Sequence, residues 1–194
     1  METTGGNQLI GRSAEWPVLL DVLTRVSGGA GTVVWLEGEP GIGKSTLVDA
    51  LVEEAVARRV TVLRGAGDEA VQPFPLHLVM ECVGASAGSP DPVRAEIAEV
   101  IHDGAGTGVL DPVLAASERI LELVDRLCAD GPLLLVAEDL HWADAASLAV
   151  LERMGRAVGQ VPLLLLGTSR PVTRRPEVAG CATSSPSGPV SCCR

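Results

Sequence analysis

Residues 38–45 read GEPGIGKS, and they constrain the fold more than any other stretch of the chain. They fit the pattern G-x-x-x-x-G-K-[ST] through Gly38, Gly43, Lys44 and Ser45. The run before them, TVVWLE (32–37), is apolar and rich in strand-forming residues. The run after them, KSTLVDALVEEAVARR (44–59), puts Leu47, Leu51 and Ala55 on one helical face, with Val48 and Val52 beside it. A strand, a glycine loop and a helix in that order is the context in which this pattern holds phosphate. Glycines let the backbone curl so that successive N–H groups point inward, and the helix start adds its unpaired donors and dipole. Lys44 is the single lysine in a chain with fourteen arginines. A compact ammonium reaches phosphate oxygens where a planar guanidinium fork fits poorly. The loop residues Gly38, Glu39, Pro40, Gly41, Ile42, Gly43, Lys44, Ser45 and Thr46 are therefore the candidate binding set for ATP, with the Ser45 hydroxyl a candidate ligand for Mg²⁺. A plain glycine turn bearing a solvated lysine is the alternative, and the flanking strand and helix weigh against it.

Apolar runs and amphipathic stretches alternate along the rest of the chain, the signature of a parallel α/β sheet. VTVLRG (60–65), PLLLVAED (132–139) and PLLLLGTSR (162–170) read as further strands. DPVLAASERILELVDRLCAD (111–130) reads as a helix with Pro112 in its first turn, and Asp144 reads as the N-cap of another helix through Leu148, Leu151 and Met154. Residues 66–111 are broken by glycine and proline and carry two short helices, one within QPFPLHLVMECVGAS and one within DPVRAEIAEVIHDG. GGAG (28–31) and GAGTG (104–108) are loops, because neither links a strand to a helix in the dinucleotide-binding manner. The segment CATSSPSGPVSCCR (181–194) has no period and is assigned no structure.

The strand at 132–139 ends in two acids, Glu138 and Asp139. Beside a phosphate loop, one acid can hold Mg²⁺ through water and the other can polarise the attacking water. Neighbouring strand residues point to opposite faces, so the two take different tasks unless the strand has ended. The assignment is Glu138 to the metal and Asp139 to catalysis or sensing. His141 follows at once and reads as structural. Thr168, Ser169 or Arg170, at the end of the last strand, can meet the terminal phosphate, and Arg170 as a surface residue is the equal alternative.

Composition narrows the setting. With 194 residues and 46% apolar content but only three Trp, one Phe and no Tyr, the chain has a core of Leu, Val, Ile and Ala. A net charge of −10 without a basic patch argues against direct nucleic-acid binding. The start lacks a signal peptide, the apolar runs are shorter than the roughly 20 residues a spanning helix needs, and the five cysteines have no metal spacing. These features lead to the expectation of a cytoplasmic protein with no membrane partner.

LIGRSAEW (9–16), GEPGIGKSTL (38–47), LLLVAEDLHWAD (133–144) and LLLLGTSRP (163–171) occur in that order. Together they resemble the STAND group of AAA-related P-loop ATPases, and more narrowly the ATPase module of large ATP-binding LuxR-type transcription regulators. The resemblance spans about residues 9–180 and implies a three-layer α/β P-loop NTPase of the ASCE/AAA type, flanked by an unordered 1–8 and by 181–194. It implies that Ile10, Gly11 and Arg12 lie against adenine and that Arg170 is a sensor. The family often has Asp where Glu138 stands. It further implies the sheet order 5-1-4-3-2 and a lid and DNA-binding domain beyond the core. Because the likeness stops near Gly180, the expectation is a truncated or frameshifted core, incomplete at its C-terminus. The first strand is then an open edge that invites self-association.

The leading functional expectation is an Mg-ATP-binding switch that hydrolyses slowly, if at all, and serves a regulator. A small-molecule kinase shares the phosphate loop, but Arg94 is the only arginine in residues 66–111. An inactive remnant is the third reading.

Overall fold

The computed structural model describes residues 14–102, 111–171 and 191–192. In chain order the elements are α1 (Glu15–Ser27), β1 (Thr32–Glu37), α2 (Lys44–Ala57), β2 (Thr61–Ala66), α3 (His77–Val83), α4 (Pro92–His102), α5 (Pro112–Asp130), β3 (Leu133–Glu138), α6 (Ala145–Ala157), β4 (Leu163–Ser169) and β5 (Ser191–Cys192). One 3₁₀ turn, Leu140–Trp142, joins β3 to α6. All strands are parallel, in the order β2-β3-β4-β1-β5, which is the order the resemblance implies.

The strands are apolar on both sides because helices cover both faces. Val34 and Leu36 of β1, with Leu134, Val136, Leu164 and Leu166, pack against Leu19 and Leu23 of α1 and Leu47 and Leu51 of α2. The alternate residues Val33, Trp35, Leu135 and Leu165 pack against α3, α5 and α6 through Val79, Ile120 and Leu151. Each such side chain, fully buried, contributes about 1.5–3 kcal/mol relative to exposure, so a leucine-to-alanine change in either layer costs about 2–5 kcal/mol.

Helix starts follow their caps. Asp111 accepts hydrogen bonds from the N–H groups of Val113 (3.0 Å) and Leu114 (3.1 Å), and Pro112 occupies the first turn of α5. Asp144 caps α6 by accepting from Ser147 N–H at 2.7 Å.

Two findings depart from the sequence expectations. Helix α1 is absent from the sequence reading, although Leu19, Val22, Leu23 and Val26 form a clear helical stripe and all are buried. Residues 181–194 are expected to carry no structure and to leave β1 an open edge. Instead Ser191 and Cys192 pair with Trp35 and Leu36 of β1. Unpaired N–H and C=O groups along an edge strand accept any extended segment, whatever its side chains. Among the described residues, no helix is long and apolar enough to cross a membrane.

Candidate functional site

The strand order brings the loop after β1 and the ends of β3 and β4 to one edge of the sheet. β4 lies between β1 and β3, and ligand clefts of such sheets form outside the strands' carboxyl ends. A polar cleft of about 290 Å³ opens there. Pro40, Gly41, Gly43 and Lys44 line one side of it, with Ser45 and Thr46 at the start of α2. Asp139, Thr168 and Arg170 line the other.

The loop takes the shape that its glycines permit. Gly41 (φ 77°) and Gly43 (φ 92°) adopt the left-handed conformation, which residues with a Cβ rarely occupy. Gly43 is the N-cap of α2, so the first N–H groups of the helix open toward the cleft without a side-chain cap. Gly38 N–H donates to Ser169 O at 3.2 Å and ties the loop to β4. Lys44 is buried, and its Nζ donates to Gly38 O at 2.6 Å and Glu39 O at 3.1 Å. The ammonium thus spans the loop from inside and reaches the cleft wall. Gly38, Glu39 and Ile42 support the loop backbone, with Ile42 N–H donating to Glu39 O at 3.3 Å.

The two acids part company at the end of β3. Asp139 stands in the left-handed region (φ 49°, ψ 46°), so strand alternation stops at Glu138 and the chain turns. The Asp139 N–H donates to Thr168 Oγ1 at 3.1 Å, which fixes this turn against β4. The Asp139 carboxylate, about half exposed, faces the cleft, and His141 Nδ1 lies 3.8 Å from its Oδ1. The Glu138 side chain is only 12% exposed and its Oε1 accepts from Arg64 Nε at 2.7 Å. Arg64 also reaches Asp49 of α2 at 2.7 Å. The guanidinium is held above its ordinary pKa, chiefly by the Glu138 hydrogen bond. The sequence-derived set is therefore split: Lys44, Ser45, Thr46, Asp139 and Arg170 converge on the cleft, and Glu138 is held beside it on Arg64. Ile10, Gly11 and Arg12 lie outside the described residues.

Sequence reasoning missed Arg64 and Asp49. The one available signal was an arginine inside the otherwise uncharged strand VTVLRG. Asp144 was recognised only as a cap, yet it is buried and also accepts from Leu76 N–H at 2.8 Å and from Ser147 Oγ at 2.5 Å. Trp35 Nε1–H donates to Ser169 Oγ at 3.2 Å, which sets an indole against the last residue of β4, between Thr168 and Arg170.

A family model described as AAA ATPase domain matches residues 8–166, well over half of the chain. The chain belongs to this family and is a nucleotide-binding module of the AAA ATPase kind. An uncharacterised protein of Rhizobium meliloti (strain 1021) is 29% identical over 194 residues, covering 86% of this chain and 19% of its own length. Among solved structures, Cdc6p from Pyrobaculum aerophilum superposes with a TM-score of 0.57 at 16% identity, over 95% of this chain and 46% of that one. Drosophila ORC bound to DNA gives a TM-score of 0.50 at 19% identity, over 84% and 38%. These likenesses show the fold. The chain spans about a fifth of the curated relative and under half of either structure.

Proposed function

We propose that the chain is an Mg-ATP-dependent switch module of a signalling or transcription regulator of the ATP-binding LuxR type. The observation that carries this reading is the convergence of Lys44, Ser45, Asp139, Thr168 and Arg170 on one polar cleft at a helix N-terminus. That donor set fits a triphosphate with a hard divalent cation. Left-handed glycines and open N–H groups suit phosphate oxygens, and hydroxyl and carboxylate oxygens suit magnesium.

In this proposal the loop amides and Lys44 bind the β- and γ-phosphates, and Arg170 meets the terminal one. Ser45 and, through water, Glu138, whose carboxylate Arg64 holds beside the cleft, would hold the cation, which would neutralise charge on the phosphates. Asp139 orders and polarises the attacking water, with Thr168 fixing the turn that aims it. Hydrolysis then removes the contacts that Thr168 and Arg170 make with the terminal phosphate and shifts the module between two states. Ile10, Gly11 and Arg12 are assigned to the base. The part of the β1 edge that Ser191 and Cys192 leave uncovered, at 32–34, is the surface assigned to self-association.

The test is hydrogen exchange of the chain with Mg-ATP and with Mg-ADP, paired with a phosphate-release assay. Protection of the 38–46 and 139–142 backbone that differs between the two nucleotides, with turnover lost in Asp139→Asn, supports the switch. Identical protection by both nucleotides contradicts it, and phosphate transfer to a hydroxyl acceptor instead of water makes the chain a kinase.

A further inference from the structure

On the sheet face opposite α1 and α2, a second pocket of about 400 Å³ opens between α3 and the end of α4. That volume falls in the range of small-molecule sites. Its walls include Phe74, Met80 and Ile101, with His77, Glu81 and His102 as the polar groups, and among the described residues no lysine or arginine lines it. Phe74 is the only phenylalanine in the chain and is 61% exposed at this pocket. A chain so short of aromatics has left that ring out of its core.

The loop bearing Phe74 is fixed to the nucleotide cleft. Leu76, two residues on, is fully buried in the left-handed region (φ 63°), a strained conformation for a bulky residue that surrounding contacts must hold. Asp144 holds it by accepting the Leu76 N–H at 2.8 Å, and Asp144 closes the turn that begins at Asp139. On the other side, Glu81 Oε2 accepts from Ala66 N–H at 3.2 Å. The next residue, Gly67, donates its N–H to Glu138 O at 2.8 Å. The pocket wall is therefore linked to both ends of the segment that carries the two acids, through Leu76 beside it at one end and through Ala66 and Gly67 at the other.

We propose that this pocket is an effector site for a small molecule with an aromatic or branched apolar body and one protonated amine. Glu81 supplies the countercharge and Phe74 a ring face for the cation. Met80 supplies an adaptable wall. The absence of lysine and arginine from the lining, together with the net charge of −10, disfavours anions. Occupancy changes the rotamer freedom of Phe74, Met80 and Glu81, and Leu76–Asp144 and Glu81–Ala66 carry that change to the acids. This coupling rests on the function proposed above, whereas the binding does not.

The probes are naphthylmethylamine and naphthylacetate, which share a ring system and differ in charge, titrated by calorimetry into the full chain. Expected results are saturable amine binding, at least about tenfold weaker binding of the carboxylate, and about tenfold losses of amine affinity in Phe74→Ala and Glu81→Gln. Both side chains are exposed, so neither variant endangers folding. With amine saturating, Mg-ATP affinity shifts at least about threefold. No amine binding to the folded chain, equal binding of naphthylacetate, or unchanged affinity in both variants overturns the site. An unmoved Mg-ATP affinity overturns the coupling. A chain that binds the amine but not ATP overturns the nucleotide switch and leaves the pocket standing.

Discussion

Replacing Arg64 by alanine removes the partner of a carboxylate that is only 12% exposed. Arg64 makes two ion pairs of equal length, 2.7 Å, and their surroundings differ. The Asp49 side chain is 52% exposed, so that pair contributes about 0.2–1 kcal/mol. The Glu138 pair has one nearly buried partner, and a hydrogen bond to such a charged group contributes about 1.5–3 kcal/mol. Arg64 itself is 38% exposed, so solvent screening holds the second figure toward its lower end. The expected loss for Arg64→Ala is about 2 kcal/mol, or roughly 4–8 °C in melting temperature for a chain of this size. Asp49→Ala costs under about 1 kcal/mol. Urea denaturation of wild type, Arg64→Met, Glu138→Gln and the double variant gives the coupling energy directly, expected at about 1–2 kcal/mol. Added salt weakens the Asp49 contribution more than the Glu138 one. A loss below about 0.5 kcal/mol for Arg64→Ala, or equal coupling to both acids, refutes the reasoning.

Gly67→Ala places a Cβ 2.5 Å from Asp139 O and 3.1 Å from Ala143 N. Those are backbone atoms of the acid-bearing turn, so the turn must move, and in the switch proposed above phosphate release falls at least about tenfold. Asp144→Ala removes the α6 cap and leaves the buried Leu76 N–H without its acceptor, costing about 2–4 kcal/mol in a denaturation series. A cost below about 1 kcal/mol contradicts the Leu76 contact. Burial pushes the Cys82 thiol well above its ordinary range and the Cys128 thiol to about 11. Both stay protonated in the fold at neutral pH, and mass-spectrometric mapping finds them labelled by a thiol reagent only after denaturant is added. The folded Cys128 holds its proton more tightly than the unfolded one, so its contribution is complete below the ordinary thiol value of 9.0 and is lost as pH rises toward about 11. Cys128→Ala flattens stability across that window.

Local chemistry made much of the fold legible. The four long strands were expected at 32–37, 60–65, 132–139 and 162–170, and they lie at 32–37, 61–66, 133–138 and 163–169. Each is a short apolar run between turn residues, which only a strand buried on both faces explains. The phosphate loop was legible because its geometry depends on neighbours within eight residues. Helix α1 is equally local, but the motif LIGRSAEW runs into EWPVLLDVLTRVS and obscures its helical period. The Arg64–Glu138 pair joins residues 74 apart in sequence, and the Leu76–Asp144 contact spans 68. No pattern within one segment encodes such contacts, because they depend on which strands become neighbours. The left-handed turn at Asp139 was hidden for the same reason: Thr168, its hydrogen-bond partner, comes from another strand.

The central claim is that the loop around Lys44 holds a magnesium-bound triphosphate. Isothermal titration of ATP with Mg²⁺ into the wild-type chain and into Lys44→Ala, both shown to be folded by circular dichroism, tests it most directly. The account predicts saturable one-to-one binding to the wild type and a loss of at least about tenfold in the variant, since Lys44 Nζ is the one ammonium in reach of the phosphates. A folded wild-type chain that binds no ATP, or a variant that binds it equally well, contradicts the claim.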